Sequence, residues 1–109
     1  MENSYIVRAK HNKEHPYVMI SKAMFQDPDL TLKAKGMLGY LLTLPNDWKL
    51  HPKQVADTLN VGKDQVYSVL KELISTGYCK KIAIRDDFGK FIEFEYHFSE
   101  EPIFKDDPV

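Results

Sequence analysis

The chain has one cysteine, Cys79, in 109 residues. No internal disulfide can form, so a hydrophobic core has to hold the fold. No apolar run approaches the ~20 residues a membrane helix needs. The opening MENSYIVRAK carries no apolar stretch of the signal-peptide kind. These absences lead us to expect a soluble cytoplasmic protein with no membrane contact. Glycine is scarce and scattered. Gly36, Gly39, Gly62, Gly77 and Gly89 make no loop that cradles a phosphate. Histidine is equally dispersed. His11 and His15 have i, i+4 spacing but fall in a polar loop ending at Pro16, with no cysteine or carboxylate cluster beside them. Cys79, His51 and His97 form no nucleophile–base pattern. We therefore expect no enzyme activity, no cofactor and no metal.

An excess of positive charge is also missing. The formal net charge is −1, which taken alone argues against a nucleic-acid partner. The distribution says more. Residues 1–50 carry seven Lys/Arg against five Asp/Glu, and residues 61–98 carry six of each. The last eleven residues set Glu100, Glu101, Asp106 and Asp107 against Lys105 alone. The body is mildly basic and the acidity sits in a tail.

What is present fits one domain. Apolar residues make up 43% of the chain, enough to build a core at this length. Residues 5–8 and 17–20 are β-prone and flank a polar stretch, which predicts an N-terminal arm or hairpin over 1–20. Ser21 is placed to cap a short helix over 22–26, ended by Asp27-Pro28. Thr31 caps a longer helix reaching about residue 44, whose Ala34, Met37, Leu38, Leu41 and Leu42 share one face. Gly36 and Gly39 weaken that helix but permit close packing of a neighbour. Trp48 in the following loop is expected to anchor the core. Pro52 suits the first position of a helix over 52–59, which Asn60 can end. A helix over 63–76 follows, with Val66, Val69, Leu70, Leu73 and Ile74 as its apolar stripe and Gly77 as its C-terminal cap.

After Gly77 the period changes from helical to strand-like. Residues 78–85 alternate loosely, Asp86-Asp87-Phe88-Gly89 signals a turn, and residues 90–99 alternate strictly. Ile92, Phe94, Tyr96 and Phe98 are expected on the buried face. Phe91, Glu93, Glu95 and His97 are expected on the other, with Glu93 and Glu95 pairing with Lys80 or Lys81. Residues 100–109 read as a disordered acidic tail.

This order gives an α+β class: a winged helix-turn-helix over 21–99, with a three-helix core, a C-terminal β-hairpin wing and an N-terminal β arm. Ala56 is small where helices 52–59 and 63–76 would cross, and Leu59 and Val61 flank the turn at Asn60. Lys63, Asp64, Gln65, Tyr67, Ser68 and Lys71 are then left on the outer face. A helix presented in this way fits the major groove of duplex DNA, which is ~12 Å wide. Lys63, Lys71, Arg85 and Lys90 would contact phosphates. Gln65 suits an adenine edge and Ser68 either base type, and Tyr67 suits a sugar or a thymine methyl. Asp64 suits the helix dipole better than a base edge. The same residues also make an ordinary solvated helix face, and that is the competing reading.

Three segments together carry a resemblance: LTLKAKGMLGYLLTLPNDW at 30–48, GKDQVYSVLKELISTGY at 62–78 and RDDFGKF at 85–91. Over residues 17–96 the chain resembles winged-helix domains of phage and plasmid replication proteins, including replisome organisers and the N-terminal part of DnaD-type primosome proteins. The resemblance implies binding of double-stranded DNA at an origin or operator. It also implies self-association through the N-terminal elements and contact with replisome proteins. Many of those relatives carry a longer C-terminal region. Glu93 and Glu95 depart from the pattern, since they would repel phosphate if they faced it. The alternatives to replication initiation are a transcriptional regulator and a protein-interaction module.

Overall fold

A computed structural model gives the fold, describing Tyr5 and residues 16–45 and 48–105. Four helices precede a two-stranded antiparallel hairpin: α1 (Lys22–Gln26), α2 (Leu32–Leu41), α3 (Pro52–Leu59), α4 (Lys63–Thr76), β1 (Cys79–Arg85) and β2 (Phe91–Phe98). The class is α+β. None of the helices among the described residues is long and apolar enough to cross a membrane.

Capping chemistry sets most boundaries. Ser21 Oγ accepts from the Ala23 N–H at 3.2 Å, opening α1. Thr31 Oγ1 accepts from the Ala34 N–H at 3.2 Å, opening α2. α3 starts at Pro52 with no side-chain cap from His51. Asn60 ends it in the left-handed region at φ 57°, and Gly77 ends α4 at φ 92°. The expected extension of α2 to about residue 44 does not form. The Leu42 N–H still reaches the Leu38 carbonyl, but the Thr43 and Leu44 N–H groups turn to the Tyr40 and Leu41 carbonyls, three residues back. Thr43 Oγ1 then donates to the Tyr40 carbonyl at 2.6 Å, and the last turn closes ahead of Pro45.

The core gathers the apolar stripes of three helices on the base of the hairpin. Met24, Ala34, Leu38, Val55, Val66, Leu73, Tyr78 and Cys79 are buried together, with Trp48, Tyr96 and Phe98 packed against them. α4 is the central element and touches α2, α3 and β1. Gly39 has its expected close neighbour, the Phe25 ring at 3.4 Å. Gly36 does not, because nothing approaches within 4 Å of its missing Cβ.

The termini differ from expectation. Residues 16–20 form no strand; Tyr17, Val18 and Met19 are exposed and only Ile20 reaches the core, so burial has no period of two. The rest of the expected arm, with His11 and His15, lies outside the described residues apart from Tyr5, as do Asp106 and Asp107. Residues 100–105, expected to be a disordered tail, fold back on the body. The Phe104 N–H donates to the Gly77 carbonyl at 2.9 Å. Glu100 Oε2 accepts the Ser21 N–H at 3.0 Å.

This return packs against Gly77, where both space and backbone conformation oppose a side chain. A Cβ on Gly77 would lie 2.7 Å from the Lys105 backbone nitrogen, in a left-handed conformation as well. Gly77→Ala is expected to cost at least ~1–2 kcal/mol for the conformation alone, plus the displacement of residues 103–105. Urea denaturation of Gly77→Ala with and without residues 103–109 separates the two parts, since the shortened chain keeps only the conformational cost.

Candidate nucleic-acid interface

The helical period divides α4 cleanly. Val66, Val69, Leu70 and Leu73 are buried, whereas Lys63, Asp64, Gln65, Tyr67, Ser68 and Lys71 are all exposed. The inward stripe and the outward ridge are therefore placed as the periodicity predicts. At 3.6 residues per turn, Asp64, Ser68, Lys71 and Ser75 stack along the crest. Lys63 and Tyr67 fall on one shoulder and Gln65 on the other. Gln65 lines a small cleft of about 180 Å³ with Lys33, Gly36, Leu59 and Val61. The crest thus carries a carboxylate at its N-terminal end, Asp64, in the first turn of α4.

A neighbouring carboxylate is already occupied. Glu72 Oε2 accepts the Thr31 N–H at 2.8 Å, and the Thr31 hydroxyl donates to Glu72 Oε1 at 2.9 Å. α4 thereby supplies an anion to the N-terminus of α2, where the helix dipole favours negative charge. Sequence reading missed this because the two residues are 41 apart.

The hairpin brings Arg85 and Lys90 together at its turn. Asp86 builds the turn: its Oδ1 accepts the Phe88 N–H at 2.9 Å and the Lys90 N–H at 2.8 Å. Gly89 takes φ 80°, and Arg85 Nη1 donates to the Gly89 carbonyl at 3.2 Å. Phe88 stands at the tip, 96% exposed.

Strand register corrects the expected faces. Lys81 pairs with Tyr96, Ala83 with Phe94, and Arg85 with Phe91, with a bulge between Ile84 and Arg85. Paired residues point to the same face. The bulge shifts Phe91 onto the Phe94 face instead of the Glu93 face, and the two rings meet at 4.8 Å. Glu93 and Glu95 lie opposite Ile84 and Ile82, on the other face. Glu93 reaches Lys49 at 3.7 Å, an exposed pair of little net energy. Glu95 meets His97 Nε2 at 2.8 Å, while the Lys81 ammonium sits 4.0 Å over the Phe94 ring. The aromatic face is not half-buried along its length. Tyr96 and Phe98 reach the core, but Ile92 is 56% and Phe94 49% exposed because the outer half of the hairpin overhangs the helices.

Below the hairpin, buried groups hold it to the body. Tyr78 donates its hydroxyl to Asp27 Oδ2 at 2.7 Å. That bond, with the Asp29 N–H, holds the Asp27 carboxyl below the usual range. Burial and the same carboxylate push the Tyr78 hydroxyl up to about 12. Burial pushes the Cys79 thiol up to about 12 as well, which leaves it a protonated core side chain rather than a nucleophile.

No protein family, curated protein or solved structure matches this chain.

Proposed function

We propose that the domain is a winged helix that binds double-stranded DNA, with α4 as its recognition helix and the β1–β2 hairpin as its wing. The observation that carries the reading is the outward ridge of α4, six exposed polar residues backed by four buried apolar ones. Lys63 and Lys71 contact phosphates and Gln65, Tyr67 and Ser68 reach base edges or sugars. Arg85 and Lys90 at the hairpin turn hold a neighbouring phosphate. The register supports the wing role, since Glu93 and Glu95 point away from the Arg85 face. Asp64 sits in the first turn of α4, where the helix dipole favours a carboxylate, and is not a base reader in this scheme. The resemblance to replication proteins of phages and plasmids assigns the DNA to an origin or operator of such an element.

The test is a titration of labelled duplex fragments over a range of salt. Four cationic contacts imply that log K falls with log salt with a slope of about −3 to −4. Lys71→Glu is expected to weaken binding across all sequences and to flatten that slope by about 1. A salt-independent affinity, or none at micromolar protein, would refute the reading.

A second reading, a protein-interaction module of a replisome, is favoured by one feature. A groove of about 810 Å³ runs between residues 42–45 and 48–51, β2 and residues 103–104, lined by Leu44, Trp48, Tyr96, Phe98 and Phe104.

A further inference from the structure

We propose that the aromatic face of the β1–β2 hairpin is a stacking platform for unpaired bases, so that the protein also holds single-stranded nucleic acid there. The face shares Arg85 with the proposed wing contact and goes beyond the duplex contact proposed for α4.

The face combines two things that single-strand sites require, partly exposed π surfaces and cations on a face from which the strand carboxylates Glu93 and Glu95 are turned away. Phe91 and Phe94 pack at 4.8 Å with their planes tilted 56°, and they remain 45% and 49% exposed. Across the strand from Phe94 stands Ala83, too small to cover the ring. The next residues on β1 to either side of it are Lys81 and Arg85, both on the same face. The Lys81 ammonium already lies 4.0 Å over the Phe94 ring, where it can pass from the ring to a phosphate as a base stacks. Arg85 is held beside the turn by its bond to the Gly89 carbonyl. The register directs Glu93 and Glu95 to the opposite face. The nearby anions are Asp86 and Asp87 in the turn, and Asp86 has one carboxylate oxygen held by the turn's own N–H groups.

Lys81 argues against a second copy of the chain as the occupant. The centre of a protein–protein contact is depleted in lysine, because burying an ammonium without a partner is costly. Here the Lys81 ammonium lies over the Phe94 ring, within the face itself. Aromatic surface bordered by cations suits a polyanion whose bases have π faces, and such contacts tolerate any base sequence.

The experiment is fluorescence anisotropy with a labelled oligothymidine of about 12 nucleotides and, in parallel, a labelled duplex. The proteins are the wild-type chain, Phe91→Leu/Phe94→Leu, Phe91→Tyr/Phe94→Tyr and Lys71→Glu. Wild type is expected to bind oligothymidine in a salt-dependent way. The leucine pair keeps the apolar surface but loses the π faces, and should weaken that binding by about tenfold or more. The tyrosine pair should restore it. Duplex affinity should stay unchanged in the leucine pair, while Lys71→Glu should reverse the pattern. Loss of duplex binding by wild type with oligothymidine binding retained would remove the α4 reading and leave this one standing. Wild type that ignores oligothymidine, or a leucine pair that binds it as wild type does, overturns the proposal. So does light scattering that finds a dimer dissolved by Phe91→Ala, which would assign the face to a second copy.

Discussion

Raising the pH from 8 to 12 is expected to unfold the domain, with the loss beginning near pH 9 and steepening above 10. Two adjacent residues at the root of the hairpin drive it. Cys79, 1% exposed, has its thiol raised from an ordinary 9.0 to about 12 by burial. Tyr78, also 1% exposed, has its hydroxyl raised from 10.0 to about 12, by burial and by the Asp27 carboxylate that accepts its proton at 2.7 Å. In both cases the folded state holds a proton that the unfolded chain releases. Above pH 9 the unfolded state therefore binds fewer protons, and stability falls with pH. One such group contributes a slope of about 1.4 kcal/mol per pH unit, and two contribute twice that. Integrated to pH 12, the loss is on the order of 5 kcal/mol, comparable to the whole stability of a domain this size.

The measurement is Trp48 fluorescence and tyrosinate absorbance followed together. The absorbance of the last tyrosine should rise only with the fluorescence transition, because Tyr78 ionises when the fold opens. Cys79→Ala removes the loss between pH 9 and 10 and halves the slope above 10, where Tyr78 alone remains. Tyr78→Phe shifts the onset the other way in cause: the alkaline slope lessens, but stability at neutral pH drops as Asp27 loses its strongest donor. An alkaline midpoint indifferent to both substitutions would mean that neither group is buried as described.

The helices were the most legible part of the fold. Apolar spacing, Pro52, Asn60 and Gly77 are local signals, and α1, α3 and α4 run where those signals place them. The site residues on α4 are exposed for the same reason, since one helical period assigns both faces. What stayed hidden depends on pairing between distant segments. The bulge that turns Phe91 toward Phe94 is a property of two strands in register, and strict alternation in β2 alone cannot contain it. The Glu72–Thr31 and Tyr78–Asp27 bonds join residues 41 and 51 apart. The return of residues 100–105 was masked by composition, because a proline and three charges read as solvated whether or not the backbone finds an acceptor at Gly77.

Leu70→Ala and Lys71→Glu, neighbours in the chain, are expected to fail in opposite ways, and the contrast tests the orientation on which the DNA reading depends. Leu70 is 3% exposed and sits in the buried cluster with Val66 and Leu73. Truncating it removes transfer energy and leaves a cavity, at a cost of about 2–5 kcal/mol. Lys71 lies one residue on, a turn of roughly 100° around the helix, on the exposed crest. Reversing its charge leaves packing alone, so the urea midpoint should stay within about 0.5 kcal/mol of wild type. It does place a second carboxylate beside the crest line of Asp64 and Ser68, and against a phosphate it replaces attraction by repulsion. Leu70→Ala should therefore bind duplex DNA normally at temperatures where it remains folded, while Lys71→Glu should fold normally and bind poorly. Equal destabilisation in both variants would mean that Lys71 is not on a solvent face. Normal folding with undiminished binding in Lys71→Glu would leave the ridge as an ordinary wetted surface, and the fold would stand without the proposed recognition helix.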